Sequence, residues 1–203
     1  MCGIAGVIHR GKTSDIGSEM TSMLTALKHR GPDSTGFAVY GKPADNNNEF
    51  VMRFKVAEQE DLNKGSNILS TIAERRAAVN GRMAEHNAKI LTEVDATEYA
   101  YRYAFSFDGD DAALEKMTRY IEELEGAEIL SLGRGLELVK DLGDANVVSD
   151  QYGLKGFQGT HALGHTRMAT ESDVDIRSAH PYWAYPYNDI SVVHNGQITN
   201  YWI

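Results

Sequence analysis

The pattern of apolar and polar positions predicts a chain that alternates between short strands and amphipathic helices. In its first part, a short apolar run is followed by apolar residues at steps of three and four, which end at a Gly-Pro helix breaker. This pattern predicts a strand at 4–8, a helix at 15–28 and a strand at 36–40.

The middle of the chain has the pattern of a further α/β unit. A polar stretch at 42–49 leads to a predicted strand at 50–56 and a predicted helix at 66–90. Aromatic residues then alternate with smaller or polar ones, namely Tyr99, Tyr101, Tyr103, Phe105 and Phe107. An aromatic binding platform would space tyrosines in this way, but a strand packed on a helix is the favoured interpretation.

The remaining periodicity completes this unit and the end of the chain. We predict a helix after Asp111, a strand at 129–132 and a short helix at 136–142, which together define a compact α/β unit at about 97–148. Two further strands are predicted in segments bounded by glycine, at 159–170 and 189–196.

Composition and charge narrow the class of protein. The 203 residues are enough for one domain, or for one domain with a large insertion, and 42% hydrophobic with 24% charged residues is ordinary for a soluble protein. A net charge of −9 argues against a nucleic-acid partner. No apolar run is long enough to cross a membrane, and no basic region precedes the apolar start, so a cytoplasmic protein is expected.

The single cysteine is the first candidate for chemistry. One cysteine excludes an intramolecular disulfide and a cysteine-based zinc cluster. A lone cysteine is ordinarily a small buried hydrophobe. However, Cys2 directly follows the initiator methionine, and removal of Met1 would place a free α-amine beside the thiol. That amine can accept the thiol proton and later donate it to a leaving group, so no separate base is needed.

Five motifs carry a resemblance to a known family. The stretches MCGIAGVI, HRGPDSTGFAVYG, GHTRMATES, AHPY and VVHNGQITN follow one another in the order seen in class II glutamine amidotransferases, which this chain resembles. The resemblance implies an α+β fold of the N-terminal-nucleophile type, a four-layer αββα sandwich, with Cys2 as the nucleophile. It covers about 2–41 and 159–202 of a type 2 amidotransferase domain spanning 1–203, and leaves about 42–158 as an insertion that contains the unit at 97–148.

The resemblance also assigns roles to individual residues. Asn195 and Gly196 match an oxyanion hole, whose preorganised N–H donors stabilise a tetrahedral intermediate. Arg167 matches the arginine that binds the α-carboxylate of glutamine, which suits a bidentate guanidinium, and Thr170 would add a hydroxyl donor. Without the motifs, the Asn-Gly pair would be interpreted as a plain turn and the arginine as part of a surface ion pair.

Other assignments from the resemblance are held beside simpler interpretations. Arg30 matches an arginine that helps to hold the N-terminus, with Asp33 assisting, although a cation at the end of a helix is also ordinary. His180 matches a position near the pocket, and a buried structural histidine is an equal alternative. His161 and His165 are four residues apart in a predicted strand, which does not make them adjacent, so no metal site is predicted.

The family context implies a division of labour between subunits. In the family, a helix, further strands and an acidic residue that binds the α-amine of glutamine follow the Asn-Gly motif, so the domain is expected to be incomplete at its C-terminus. The wording of the motifs is most similar to amidotransferase subunits of glutamate-synthase-like complexes, including N-methylglutamate synthase.

This resemblance implies a subunit that hydrolyses glutamine to glutamate and ammonia for synthase subunits of a hetero-oligomer. Those partners would carry any FMN or iron–sulfur cluster, and no cofactor is expected in this chain. The alternative is a catalytically weak scaffold or regulatory subunit of the same kind of complex. The unit at 97–148 is a candidate for docking the partner.

Overall fold

The computed structural model describes residues 2–31, 33–63, 67–168 and 176–196, without the side chains of residues 59 and 60. The helices of this part are α1 Ile16–Ala26, α2 Ile68–Glu85, α3 Asp111–Glu122 and α4 Ala145–Gln151, with 3₁₀ turns at Lys28–Arg30 and Gln59–Asn63. The strands are β1 Gly3–Ile8, β2 Ser14–Asp15, β3 Ser34–Gly41, β4 Glu49–Lys55, β5 Lys89–Asp95, β6 Ala100–Ser106, β7 Glu128–Gly133, β8 Leu136–Leu142, β9 Gln158–Arg167, β10 Tyr182–Trp183 and β11 Ser191–Val192. The predicted α+β class is confirmed, and no helix of the described ranges is long and apolar enough to span a bilayer.

The chain divides into two compact units. The first comprises the described residues of Met1–Gly41, Leu138–Tyr182 and Ser191–Ile203. The second comprises those of Lys42–Glu137 and Trp183–Ile190. The second unit is thus inserted into the first in sequence, between β3 and most of β8.

The first unit is built on an antiparallel sheet with β9 inside it. The strand order is β1-β9-β3-β8, and the short β2 pairs with an extension of β9. Helix α1 packs on β9 through side chains that are wholly buried, namely Ile16, Met20 and Leu24. Asp15 caps the start of α1 by accepting a hydrogen bond from the backbone N–H of Ser18 at 3.0 Å.

A glycine in β9 sets the distance between this helix and the sheet. A Cβ atom at Gly164 would lie 2.6 Å from Leu24 Cδ1 and 2.8 Å from Met20 Sδ. Gly164 therefore allows α1 to pack directly on the strand. Because side chains alternate along a strand, the even-numbered residues of β9 face α1, and the odd-numbered ones, including His165 and Arg167, face the other side of the sheet.

The second unit has the β-α-β-β-α-β order of a split βαβ, or ferredoxin-like, motif. Its antiparallel sheet has the strand order β5-β6-β4-β7. The predicted tyrosine strand is confirmed as β6, and Phe54 meets Tyr103 edge to face with ring centroids 4.9 Å apart. Both side chains are buried, together with residues of α2 and α3, which include Val79, Met83 and Met117. Aromatic packing against two helices therefore forms the core of this unit.

A buried carboxylate joins two arginines of the second unit. Arg53 in β4 and Arg102 in β6 are direct register partners, so their like charges would repel. Glu137 lies between them, with Oε2 2.8 Å from Arg53 Nε and 2.8 Å from Arg102 Nε, and with Oε1 2.8 Å from Arg102 Nη2. Burial acts to raise the pKa of Glu137, but the two guanidinium groups lower the pKa below its usual value.

Another carboxylate explains why residues 183–190 belong to the second unit. Asp189 accepts hydrogen bonds from the backbone N–H groups of Arg134, Gly135 and Leu136 at 3.0, 2.8 and 2.7 Å. These residues form the turn between β7 and β8. The segment is thereby attached to that turn, although it lies about fifty residues later in the chain.

Three predicted elements differ in the structure. The helix predicted at 136–142 is wrong, because this segment is strand β8 and is buried on both faces, so its apolar residues show no alternation. The helix predicted at 66–90 ends at Glu85, since Asn87 adopts the left-handed region at φ 61°, and the missed edge strand β5 follows. In the strand predicted at 189–196, Ser191–Val192 alone is extended.

Candidate functional site

Cys2 lies immediately before β1 and is half-buried. Its Sγ is 3.9 Å from the backbone oxygen of Met168, the residue that follows β9. The side-chain amide of Asn195 donates a hydrogen bond from Nδ2 to the backbone oxygen of Cys2 at 3.3 Å. Two residues that are 193 positions apart in sequence therefore meet at the end of the sheet.

Arg167 is the last residue of β9 and is largely buried. The loop that follows the Lys28–Arg30 turn packs on its backbone. The N–H of Asp33 donates to the Arg167 oxygen at 3.1 Å, and a Cβ at Gly31 would lie 2.4 Å from the Arg167 carbonyl carbon. Glycine is therefore required at position 31 to let this loop approach the strand.

Strand register places several polar side chains on one face of the first unit's sheet. Ser34 pairs with Arg167, and Ile4 pairs with His165. Pairs in register share a face, and alternation along β1 carries Cys2 to the same side as Ile4. Cys2, His165 and Arg167 therefore lie on the face of the sheet opposite α1.

A further histidine covers this face. A Cβ at Gly36 would lie 2.0 Å from the backbone oxygen of His180, so glycine allows the His180 segment to lie directly on β3. The His180 ring lies 4.9 Å from the His165 ring and 4.6 Å from the Tyr182 ring, between centroids. Both histidines are buried, with 1% of His165 and 4% of His180 exposed. His165 is a candidate site residue that sequence reasoning missed, because its neighbourhood with His180 arises only from the fold.

These two histidines lack hydrogen-bond partners within the part of the chain that the structure describes. Both ring nitrogens of each are buried and unpaired, as is the hydroxyl of Ser34 on the same face. Burial lowers the pKa of His165 to about 4, with smaller contributions from Arg167 and His194. Burial also lowers the pKa of His180 to about 3, assisted by neighbouring basic groups that include His165 and Lys140. Both imidazoles are therefore uncharged at neutral pH.

The segment that carries the Asn-Gly motif connects Cys2 with this pair. Asn195 contacts Cys2, and the preceding His194 has its ring 6.3 Å from that of His180. Asn195 and Gly196 are exposed, and a Cβ at Gly196 would lie 2.3 Å from His194 Nε2. Glycine at 196 therefore permits a tight bend next to Asn195.

The structure thus gathers most of the predicted site at one end of the first unit. Cys2 and Asn195 are in direct contact, Arg167 adjoins the residue that contacts the Cys2 thiol, and His180 packs on the same sheet face. Arg30 is half-buried in its 3₁₀ turn. Thr170 and Met1 lie outside the described residues. Within the described ranges, no group of three or more His, Cys, Asp or Glu side chains has an arrangement that could hold a metal ion.

Comparison with known proteins adds an independent observation. No family model matches the chain. Over all of its length it is 37% identical to a protein of Methanothermobacter thermautotrophicus named "Putative glutamine amidotransferase". Over 99% of its length it is 29% identical to "Glutamine amidotransferase-like protein GlxB" of Rhizobium meliloti. Both relatives carry amidotransferase names.

These two relatives are longer than the chain, which spans 63% and 60% of their lengths. A shorter similarity, 34% identity over 47% of the chain, links it to a glutamine–fructose-6-phosphate aminotransferase of Methanosarcina acetivorans. That match covers 16% of the aminotransferase. The three relatives have in common names that refer to transfer of the glutamine amide or of an amino group.

Proposed function

We propose that this chain is the glutaminase part of a class II glutamine amidotransferase and that it hydrolyses glutamine to glutamate and ammonia with Cys2 as the nucleophile. The observation that carries the proposal is the contact between Cys2 and Asn195 on the Arg167 face of the sheet. The similarity along the whole chain to relatives with amidotransferase names supports it.

The proposed reaction proceeds through a covalent intermediate. After removal of Met1, the α-amine of Cys2 accepts the thiol proton, and the thiolate forms a bond with the side-chain carbonyl carbon of glutamine. The carbon–nitrogen bond then breaks, and the departing ammonia receives the proton back from the amine. Water attacks the resulting thioester, which releases glutamate and restores the thiol.

Asn195 and Gly196 supply the groups that stabilise this reaction. The Asn195 amide already lies beside the Cys2 backbone, and a small rotation of its side chain would direct an N–H toward the carbonyl oxygen of a bound substrate. The backbone N–H of Gly196 would be the second donor. Such donors stabilise the tetrahedral intermediate because negative charge develops on the oxygen in the transition state.

Arg167 is proposed to bind the α-carboxylate of glutamine, with Thr170 as an additional donor and His180 in the pocket wall. A largely buried guanidinium is well suited to a carboxylate because it offers two parallel N–H donors. Arg30 and Asp33 belong to the loop that holds the end of β9, and their proposed role is to support the position of the N-terminus.

The finer structural and cellular assignments follow from the same proposal. We propose a four-layer N-terminal-nucleophile sandwich, of which the first unit supplies one sheet, and an insertion that docks a synthase partner. The partner would be a subunit of a glutamate-synthase-like or N-methylglutamate synthase complex that carries any FMN or iron–sulfur cluster. A cytoplasmic location fits a nucleophile that must remain a free thiol.

The test of the proposed function is release of glutamate and ammonia from glutamine by the full-length protein, alone and with the subunits that co-purify with it. Equal amounts of both products support the proposal. Absence of turnover in every condition, with the complex still assembled, would support a scaffold or regulatory role instead.

Replacement of Arg167 by lysine tests the proposed carboxylate site. Lysine keeps the charge but loses the bidentate geometry, so we expect KM for glutamine to rise at least about tenfold with a smaller change in kcat. Steady-state kinetics measures both constants, and Arg10→Lys at an exposed position serves as the matched control. An unchanged KM in Arg167→Lys would remove this residue from the substrate site.

A further inference from the structure

The buried histidine pair, His165 and His180, has a composition that folding alone does not favour. Four imidazole nitrogens are enclosed without a hydrogen bond to any other group of the described chain. A buried polar group without a partner destabilises a protein, and an apolar side chain of similar shape would avoid that cost. The pair is therefore better suited to a polar ligand than to core packing.

The surroundings of the pair restrict the charge of that ligand. The charged or titratable groups that act on the two rings are Arg167 on β9, Lys140 on β8 and His194 beside the Asn-Gly motif, all of them basic. This environment opposes binding of a cation and keeps the imidazoles uncharged. A neutral imidazole presents one N–H donor and one acceptor nitrogen.

A primary carboxamide is the complementary group. It offers two N–H donors and a carbonyl acceptor, so it can satisfy the donor of one ring and the acceptor of the other. A carboxylate has acceptors alone and would leave the ring acceptors unpaired. Glutamine and its hydrolysis product glutamate differ in this one group, so the histidine pair has the chemistry to separate them.

The position of the pair fits such a role. His165 lies on the Cys2 and Arg167 face of the sheet, and His180 approaches His194, which directly precedes Asn195. Asn195 in turn contacts Cys2. A continuous series of contacts therefore joins the pair to the nucleophile within the first unit.

On the basis of the proposed function, we propose that His165 and His180 are specificity-determining residues, which recognise the side-chain carboxamide of glutamine and discriminate against the carboxylate of glutamate. A site that hydrogen-bonds one substrate group rejects analogues that leave its buried polar groups unpaired. Release of the product follows from the same arrangement, because conversion of the carboxamide to a carboxylate removes the donors that the rings require.

The test compares ligand affinity with stability in His165→Leu and His165→Asn. Dissociation constants for glutamine and glutamate are measured by calorimetry with full-length protein that also carries Cys2→Ala, so that glutamine is not consumed. We expect His165→Leu to reduce the preference for glutamine over glutamate by at least about tenfold, while its Tm stays equal or rises. His165→Asn keeps a donor and an acceptor, and part of the preference should remain.

His161→Leu is the matched control. This histidine lies on the same strand and the same face, but it is stacked on Tyr40 and is 2.9 Å from the Thr160 hydroxyl. Its replacement should leave the preference for glutamine unchanged. An unchanged preference in His165→Leu, with or without a lower Tm, would overturn the inference.

The same measurements separate this inference from the proposed hydrolysis. If the protein with Cys2 intact does not hydrolyse glutamine, yet the Cys2→Ala protein shows a preference that depends on His165, hydrolysis is refuted and recognition of the carboxamide stands. If glutamine is hydrolysed while the preference is independent of His165, the opposite conclusion holds. Absence of any glutamine binding refutes the recognition role.

Discussion

Replacement of Cys2 by alanine is expected to abolish glutamine hydrolysis, with a loss in kcat of at least about 10⁴-fold. Alanine retains the backbone, including the oxygen that accepts the hydrogen bond from Asn195, but provides no atom that can attack the carboxamide carbon. The remaining groups can bind glutamine and polarise its carbonyl, so binding should persist while turnover is lost. Glutamate release by the full-length protein measures the turnover, and calorimetry measures the binding.

The control for this experiment is His161→Asn, a change on the same sheet that leaves the proposed machinery intact. Its kcat should remain close to that of the unmodified protein. Hydrolysis by Cys2→Ala at more than a few per cent of the normal rate would show that another residue or a bound water is the nucleophile.

Replacement of Glu137 by glutamine is expected to destabilise the second unit by about 3–5 kcal/mol. Arg53 and Arg102 face one another across two strands, and the Glu137 carboxylate compensates both charges in a buried position. Glutamine has nearly the same shape but no charge, so a largely buried guanidinium would remain uncompensated. Denaturant unfolding should show a lower midpoint with an unchanged slope.

The pH dependence of this effect provides an additional check. The pKa of Glu137 is lowered in the folded state, so its stabilising contribution is present above the ordinary glutamate pKa of about 4.3 and is lost as the pH falls through the folded value. The difference between the two proteins should therefore decrease in acid. Asp45→Asn, which removes an exposed ion pair with Lys42, should change stability by less than about 1 kcal/mol, and an equally small effect of Glu137→Gln would contradict the account.

Much of the first unit could be predicted from the sequence because its elements have strong local signals. The apolar run of β1, the helical periodicity of α1 and the Gly-Pro break each depend on neighbouring residues alone. Strand β8 shows the limit of this reasoning, since a segment buried on both faces loses the alternation that identifies a strand. Edge strand β5 fails for the opposite reason, because it is exposed on both faces.

The extent of the second unit could not be predicted because it depends on long-range contacts. The periodicity indicated a compact α/β unit at about 97–148, whereas the ferredoxin-like sheet also requires β4, which pairs with both β6 and β7. The attachment of residues 183–190 depends on Asp189, whose backbone acceptor role has no signature in its own sequence neighbourhood.

The candidate site divides in the same way. Sequence motifs pointed to Cys2 and Asn195, and the fold brings these two into contact. The motifs did not indicate His165 as a site residue, because its importance rests on burial, on unpaired nitrogens and on the approach of His180 over Gly36. Each of these properties arises from packing between segments that are distant in sequence.

The most direct test of the central claim is to locate the covalent intermediate. Full-length protein mixed with glutamine is quenched in acid, which preserves thioesters, and its N-terminal peptide is analysed by mass spectrometry. The account predicts a glutamyl group on the thiol of a chain that begins at Cys2, and no such group in Cys2→Ala. Rapid hydrolysis by a protein that retains Met1, or a glutamyl group on another residue, would contradict it.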